Sequence, residues 1–543
     1  MRPVGDDLGG LGLKILIATD VFPPNCGGAG WSAYYLARAL RARGHTVAVV
    51  RPCFVAAPIR PTLVRTAYDG LPVAELHLPA AGPSLRRLWT RNITAPRRLR
   101  RLIATEARRL GADLIHAQHA LTVVAAVASR QSSVVSRRSA VGGRGWSAGV
   151  AALLAAPVRR WPQQTARHIP VVATVRDYWP LCYYSTMQVP GRQSAVGSRQ
   201  SAVGSRQSAV GSELTSELRT QNSELVANPQ SAIRNPQSAG GRQSPVAGKS
   251  NSEFRTQNSE LVANPQSAVA GVGLWPLART VWRAQGWGGL RWWPLLPAWE
   301  WATARRRAAL RRADATVAVS RFVAGRLRAG GAVAAGRLHV IPNLVDLPHV
   351  AEIVAQPAPL EGIGLTAGQP FLLFVGKLEV SKGAWLLPAA LRAAGVGGDL
   401  PVVIAGSGPL QATLAAQAQA AGLDFRCGFW PNGDDVLRLL RAATVLLFPS
   451  AWDEPLTRVL LEACAVGATI LALDTGGTSD ILTDGVDGRL VADMDAFAVA
   501  LRGLLADPAE QARLAAGAQA TARARFSAEV VGAQVEALYR SLL

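Results

Sequence analysis

Short, unbroken apolar runs that end in glycine-rich turns recur along this chain, and few architectures accommodate them. Lys14 to Thr19 reads KILIAT. FPPNCGGAG (Phe22 to Gly30) follows, then a helical stretch to Arg43, a Gly44-His45 stop and TVAVV at Thr46 to Val50. An apolar run without polar alternation marks a strand covered on both faces, and strand, glycine turn, helix, strand is a βαβ unit. Further candidates are DLIH (Asp113 to His116), PVVATV (Pro170 to Val175), TVAVS (Thr316 to Ser320) and LHVIPN (Leu338 to Asn343). Past a linker with Pro and Gly around Val350 to Gln369 the pattern restarts. It runs through FLLFVG (Phe371 to Gly376), PVVIAGSG (Pro401 to Gly408), ATVLLFPS (Ala443 to Ser450) and ATILALD (Ala468 to Asp474). Two doubly wound α/β units with a boundary near residue 350 are therefore expected. The last stretch, Ser527 to Leu543, has helical apolar spacing.

The 543 residues suffice for two or three domains, and a hydrophobic content of 49% excludes global disorder. Five scattered cysteines (Cys26, Cys53, Cys182, Cys427, Cys464) form no C-x-x-C pair, so neither a disulfide framework nor a zinc site follows. A reducing cytosol is the expected compartment. The first residues do not resemble a signal peptide, and no run reaches the roughly 18 apolar residues of a membrane span.

Charge is unevenly spread. The whole chain carries +22, yet from residue 350 onward 13 Lys and Arg face 20 Asp and Glu. The first part is thus strongly basic, which points to an anionic partner surface such as nucleic acid or a lipid leaflet. Ser84 to Leu110 holds nine Arg, and Trp275 to Trp301 holds seven of the 15 Trp among Arg279, Arg283 and Arg291. Interleaved Trp and Arg suit the headgroup level of an anionic membrane, the preferred reading. Packing of the Trp stretch as core is the alternative. No nucleic-acid-binding module is visible, so nucleic acid is not expected as a partner.

One segment departs from the α/β pattern. SRQSAVG-like heptapeptides recur between Arg192 and Gly211, and SELRTQNSELVANPQSA (Ser216 to Ala232) returns at Ser252 to Ala268 with Phe254 replacing Leu218. Degenerate copies occupy Ser129 to Gly142. Adjacent Ala and Val cannot supply the a and d positions of a coiled coil. Ser, Gln, Asn and Gly instead predict surface insertions without a core, at about 129–142 and 191–269.

Candidate chemistry concentrates in the second unit. Glu454 and Glu462 stand eight residues apart in DEPLTRVLLEACAVG. On a helix that spacing brings both carboxylates near one face, suited to binding vicinal hydroxyls. Only four residues are Lys, and two of them, Lys377 and Lys382, follow a strand in VGKLEVSKG, well placed for a diphosphate. DTGGTSD (Asp474 to Asp480) offers amides before a helix as a phosphate cradle. No Walker A loop is present. Asp493-Met494-Asp495 is a D-x-D, but a helix follows, so an N-cap explains it better than a metal site.

Together FPPNCGGAG, DLIHAQH, TVRDYWPLC, ADATVAVS, VIPNLVD, VGKLEVSKG, AGSGP, EPLTRVLLEACAVG and DTGGTSDILTDGVDG occur in one order over nearly the whole chain. The set resembles glycosyltransferase family 4, which implies the GT-B fold: two Rossmann-like domains facing across a cleft. It also implies a retaining, metal-independent transfer from a nucleotide sugar, with no cofactor. The expected domains are 1–349 on the acceptor side, 350–525 for the nucleotide sugar, and 526–543 as a helix crossing back. By this resemblance Gly27 and Gly28 form the loop that approaches the donor phosphates. Lys377 and Lys382 bind the diphosphate and stabilise the departing nucleotide. Glu454 holds hydroxyls of the donor sugar, Glu462 holds the ribose, and Thr478 with the amides after Gly476-Gly477 lies near the phosphates.

The chain also departs from the family. Arg176-Asp177 stands where relatives often carry His-Asp, and an arginine cannot act as a base near neutral pH but can bind an anionic acceptor. His116 is kept as a site histidine, Gln118 replaces a second one, and His119 is the displaced substitute. The expected activity is transfer from a UDP- or GDP-sugar to an acceptor, lipid-linked acceptors included, in the cytoplasm or at the inner face of the plasma membrane. A nucleotide-sugar epimerase and a non-catalytic binding scaffold are the alternatives.

Overall fold

A computed structural model of the chain describes residues 12–24, 26–55, 60–79, 90–129, 168–177, 293–294, 296–428 and 433–543. The inserted repeats lie outside the described residues except for Ser129, as do Trp89, Trp275, Trp282, Trp287 and Trp292. One compact unit comprises Met1–Met187 and Pro297–Leu543, and a second comprises Gln188–Leu296. The first unit holds two sheets.

The first sheet is built from β1 (Lys14–Ala18), β2 (Thr46–Val55), β3 (Thr62–Tyr68), β4 (Leu71–Pro79), β5 (Leu114–Ala117), β6 (Val171–Val175), β7 (Ala315–Ala318) and β8 (Leu338–Val340). Its order is β3-β4-β2-β1-β5-β6-β7-β8, parallel throughout except for the β3/β4 hairpin. The second contains β9 (Leu372–Val375), β10 (Val402–Ala405), β11 (Phe425–Gly428), β12 (Val445–Phe448), β13 (Ile470–Leu473) and β14 (Arg489–Val491). It is wholly parallel, in the order β11-β10-β9-β12-β13-β14. Strands β6, β10, β12 and β13 are buried along their whole length. That burial is why they read as continuous apolar runs instead of alternating ones.

In each sheet the direction of strand addition reverses once, between β1 and β5 and between β9 and β12. A crevice opens at the carboxyl ends of the strands at such a reversal, and ligands of open α/β sheets bind there. All the candidate residues described below stand at or beside these two points.

Five helices matter for the site: α1 (Gly28–Ala42), α2 (Ala120–Ser129), α3 (Arg321–Ala329), α4 (Arg458–Val466) and α5 (Ala528–Arg540). The chain passes from the first sheet to the second through Val345 and returns through Phe526 and Ser527. The Val345 amide donates to the Phe526 carbonyl at 2.8 Å, and Val345 forms a β-bridge with Ser527. Helix α5 then packs on α1, its Val531, Val535, Leu538 and Tyr539 sharing one apolar cluster with Ile15, Ile17, Leu36 and Leu40. Arg43 clamps it from outside, 2.6 Å from Glu536. At roughly 2 kcal/mol per buried large side chain, those four residues hold the tail firmly on the first sheet.

Candidate active site

Glu454 lies before α4, not on it. The E-x7-E pair therefore does not share a helix face, which corrects the expectation from spacing alone. Pro455 disfavours helical backbone at the residue before it, and the helix begins only at Arg458 with Thr457 as its N-cap. The carboxylate is instead held by side chains. Its Oε1 accepts from Lys382 Nζ at 2.7 Å, Ser450 Oγ at 2.6 Å and Trp452 Nε1 at 2.8 Å. Glu454 is 2% exposed, and its Oε2 has no partner among the described residues.

Glycines bring the next strand end against this loop. Gly476 has φ +60°, and a side chain there would meet the Glu454 backbone nitrogen at 2.4 Å. One at Gly477 would meet the Pro455 carbonyl oxygen at 2.3 Å. The Gly477 amide donates to the Glu454 carbonyl at 2.5 Å, and the amide of the buried Thr478 donates to Thr475 at 3.2 Å. The predicted helix after them is a single turn, Thr478–Asp480. The Gly477 and Thr478 amides are thus bonded within the protein, and the two glycines form a close joint that positions Glu454.

Lys377 and Lys382 are not equivalent. Lys382 sits in the turn Val380–Lys382 with its ammonium on Glu454 and 5.3 Å from the Trp452 ring centre. Lys377, just past β9, is exposed, and its closest acid is Glu379 at 4.0 Å. It is the solvent-exposed cation of the pair.

Glu462, on α4, is bound through Oε1 by Arg458 Nε at 3.0 Å and Nη2 at 2.6 Å, and its Oε2 has no partner among the described residues. Arg458 falls between the two glutamates, one arginine among the chain's 54, and its place in the motif is its one signal in the sequence. Its guanidinium lies 4.8 Å from the ring centre of Tyr35, and a side chain at Gly28 would come 3.1 Å from its Cδ. Gly27 and Gly28 are exposed at the start of α1, and nothing lies within 4 Å of where a Gly27 side chain would be. The carboxyl ends of β1 and β12 thus approach each other through Gly28 and Arg458. Arg326–Asp453 at 2.7 Å and Arg321–Asp480 at 2.6 Å link α3 to the same loops.

His116 is fully buried, with Nδ1 on Tyr539 Oη at 2.5 Å and Nε2 on Thr174 Oγ1 at 2.5 Å. Burial and the nearby Arg176 charge hold its pKa down to about 3. Both nitrogens are engaged, so His116 pins the terminal helix to the first sheet. His119 is held neutral in the same way, to about 3, with its Nδ1 on Thr19 Oγ1 at 3.1 Å. Arg176 extends from β6 to Asn343 Oδ1 at 2.9 Å and Gln118 Oε1 at 2.8 Å, and Asp177 follows it. Asp493 is the N-cap of a helix, accepting from the Ala496 amide at 2.8 Å. Among the described residues one group of metal-ligating type converges: Cys53, Glu75 and His77. Its carboxylate is already bound by Arg51 Nε at 2.8 Å and His77 Nε2 at 3.0 Å.

With this geometry in hand, known proteins sharpen the class. Residues 352–521 match the family described as glycosyl transferases group 1, and residues 26–138 and 242–348 match glycosyltransferase family 4. The chain belongs to the family 4 glycosyltransferases, and its fold is GT-B. It is 34% identical over 221 residues to a D-inositol 3-phosphate glycosyltransferase of Xylanimonas cellulosilytica, covering 37% of this chain and 51% of that protein. It is 31% identical over 258 residues to an α-maltose-1-phosphate synthase of Mycolicibacterium smegmatis, covering 44% and 65%. The matched part is about half to two thirds of the length of these relatives. Among solved structures, sucrose-phosphate synthase from Thermosynechococcus elongatus superposes with a TM-score of 0.56 at 18% identity, over 97% of this chain and 99% of that one. Anabaena HepE in complex with UDP gives 0.53 at 15%, over 97% and 100%.

Proposed function

We propose that the protein transfers a sugar from a UDP- or GDP-sugar to an acceptor, with retention at the transferred carbon and with side-chain cations in place of a metal. One observation carries the reading. At the second sheet's reversal point two carboxylates, Glu454 and Glu462, each have one oxygen fixed by cations and the other without a partner. Glu462 Oε2 accepts from the ribose hydroxyls and Glu454 Oε2 from hydroxyls of the donor sugar. As the bond to the sugar breaks, negative charge grows on the departing diphosphate. Lys377, Arg458 and the open amides at Gly27 and Gly28 meet that charge without a hydration shell having to rearrange. HepE, of the same fold, is known bound to UDP, which supports the choice of donor.

The acceptor is presented at an anionic membrane surface. Arg97, Arg98, Arg101, Arg108 and Arg109 are exposed along the helix Ala95–Leu110, whose Leu99, Leu102 and Ile103 are buried. Among the described residues no helix is long and apolar enough to cross a membrane, so contact is by surface charge. Trp299, by contrast, is buried, and Trp301 lies under Arg305 at 4.7 Å, so these two belong to the fold.

Melting the purified chain with UDP, GDP, ADP and their sugar conjugates, without divalent metal, tests the donor. A ligand of the folded state raises Tm. The expected result is a shift with UDP or GDP that Glu462→Ala removes. No shift with any nucleotide, or an undiminished one in the variant, overturns the reading.

A further inference from the structure

Where β1, β5 and β6 end, the protein gathers hydrogen-bond donors that have nothing to bind. Arg176 spends Nε on Asn343 Oδ1 and Nη1 on Gln118 Oε1, both neutral acceptors, and forms no salt bridge among the described residues. Gln118 is fully buried, and its Nε2 has no partner among them. Its amide orientation is settled by Arg176, since the flipped form would set an NH2 group against a guanidinium. His119 is 9% exposed; its Nδ1 accepts from the Asp20 amide at 3.3 Å, which places the proton on Nε2, and that atom is also unpartnered. Arg458, whose charge acts on Arg176, brings a third such atom, its buried Nη1. Every spare atom is a donor.

Burying donors and a cation without partners is costly, because each gives up its hydration and gains no bond in return. A fold keeps such a set when a ligand completes it. We infer that Arg176, Gln118 and His119, with Arg458 facing them, form a subsite for an anionic oxygen group of a substrate, a phosphate or a carboxylate. A guanidinium fork matches the geometry of either group. The electrostatics agree. Burial, with the Arg458 charge second, holds the Arg176 pKa down to about 10, so a neighbouring anion relieves strain on both cations; Asp177 provides only part of that relief. His119 remains neutral and donates without adding charge. This subsite rests on the glycosyltransferase reading only for the origin of the anion, which is either the acceptor or the sugar of the donor.

Inorganic phosphate, added at constant ionic strength, is the direct probe. It is expected to raise the Tm of the full chain and to bind at least about tenfold more weakly to Arg176→Gln. Gln118→Glu is the second variant. It pairs the guanidinium in place, so it keeps the fold, raises the ligand-free Tm and abolishes the phosphate effect. Equal phosphate shifts in wild type and both variants, or none in wild type, overturn the inference. Two further arms assign the source. Preference for glucose 6-phosphate over glucose in the UDP-loaded protein places the anion on the acceptor, and preference for UDP-glucuronate over UDP-glucose places it on the donor sugar. UDP titration of the same wild-type sample reads the donor assignment separately, so a failure there leaves the phosphate result to stand by itself.

Discussion

The phenol of Tyr539 meets the imidazole of His116 at 2.5 Å although 423 residues separate them in the chain. The ring planes cross at 83° with centroids 5.7 Å apart, so the contact is edge-on as well as hydrogen-bonded. Replacing Tyr539 with Phe keeps the packing and strands one imidazole nitrogen in a buried place. The expected loss is about 1 to 3 kcal/mol, read from urea midpoints. An unchanged midpoint would show that α5 is held by its apolar face alone.

Acid should weaken the fold in a defined window. His116 and His119 titrate near 6.5 when unfolded and near 3 when folded, because burial and Arg176 oppose their protonation. The unfolded chain therefore binds more protons between those values. The stability this supplies is fully present above about pH 6.5 and is lost progressively as pH falls toward 3. From about pH 7.5 to about pH 5.5 each histidine costs about 1.4 kcal/mol. In His116→Gln that loss should shrink by one histidine's share. Burial raises the Asp20 carboxyl in both proteins, so it cancels in the comparison. Parallel pH profiles for the two proteins would contradict the assignment.

Gly476 and Gly27 should respond oppositely to the same substitution. Alanine at Gly476 drives backbone into backbone at a left-handed position and should cost more than about 2 kcal/mol while displacing Glu454. Alanine at Gly27 meets no atom within 4 Å, so Tm should hold while UDP affinity drops. Loss of stability in Gly27→Ala, or none in Gly476→Ala, would reverse the roles assigned to these two turns.

The basic helix makes a prediction about surfaces. Vesicles containing anionic lipid should sediment the protein, and neutral vesicles should not. Reversing Arg97, Arg98 and Arg101 to Glu should weaken the association by at least about tenfold, at roughly 1 kcal/mol per charge near the surface. Sedimentation that ignores both lipid charge and these substitutions would place the acceptor away from membranes.

The sequence alone disclosed much of the architecture, because a strand buried on both faces must be written in apolar residues. Ile15 to Ala18, Val402 to Ala405 and Val445 to Phe448 could hardly be read otherwise. The β3/β4 hairpin was missed: β3 is an exposed edge strand without alternation, and its one signal was the Asp69-Gly70 turn, both residues at positive φ. β11 (FRCG) and β14 (RLV) each carry an arginine and are only half-buried, so neither reads as an apolar run. In the site, residue types were legible and partners were not. Glu454 and Glu462 announced themselves by charge, but the three donors that hold Glu454 converge from two loops. Pro455 keeps Glu454 off the helix, so spacing alone misplaces the two carboxylates on one face. Arg458 was hidden among the residues of its own motif. His116 shows the remaining limit, since the pairing that fixes its role comes from the far end of the chain.

The twin passages between the sheets, at Val345 and at Phe526-Ser527, are hydrogen-bonded to each other instead of standing apart. Two separated straps would hold the halves like a door on two hinges, free to swing about one fixed axis. Two straps sewn together behave as a single short pivot. That one seam sets how the halves are registered, and it leaves Gly28 of the first opposite Arg458 of the second.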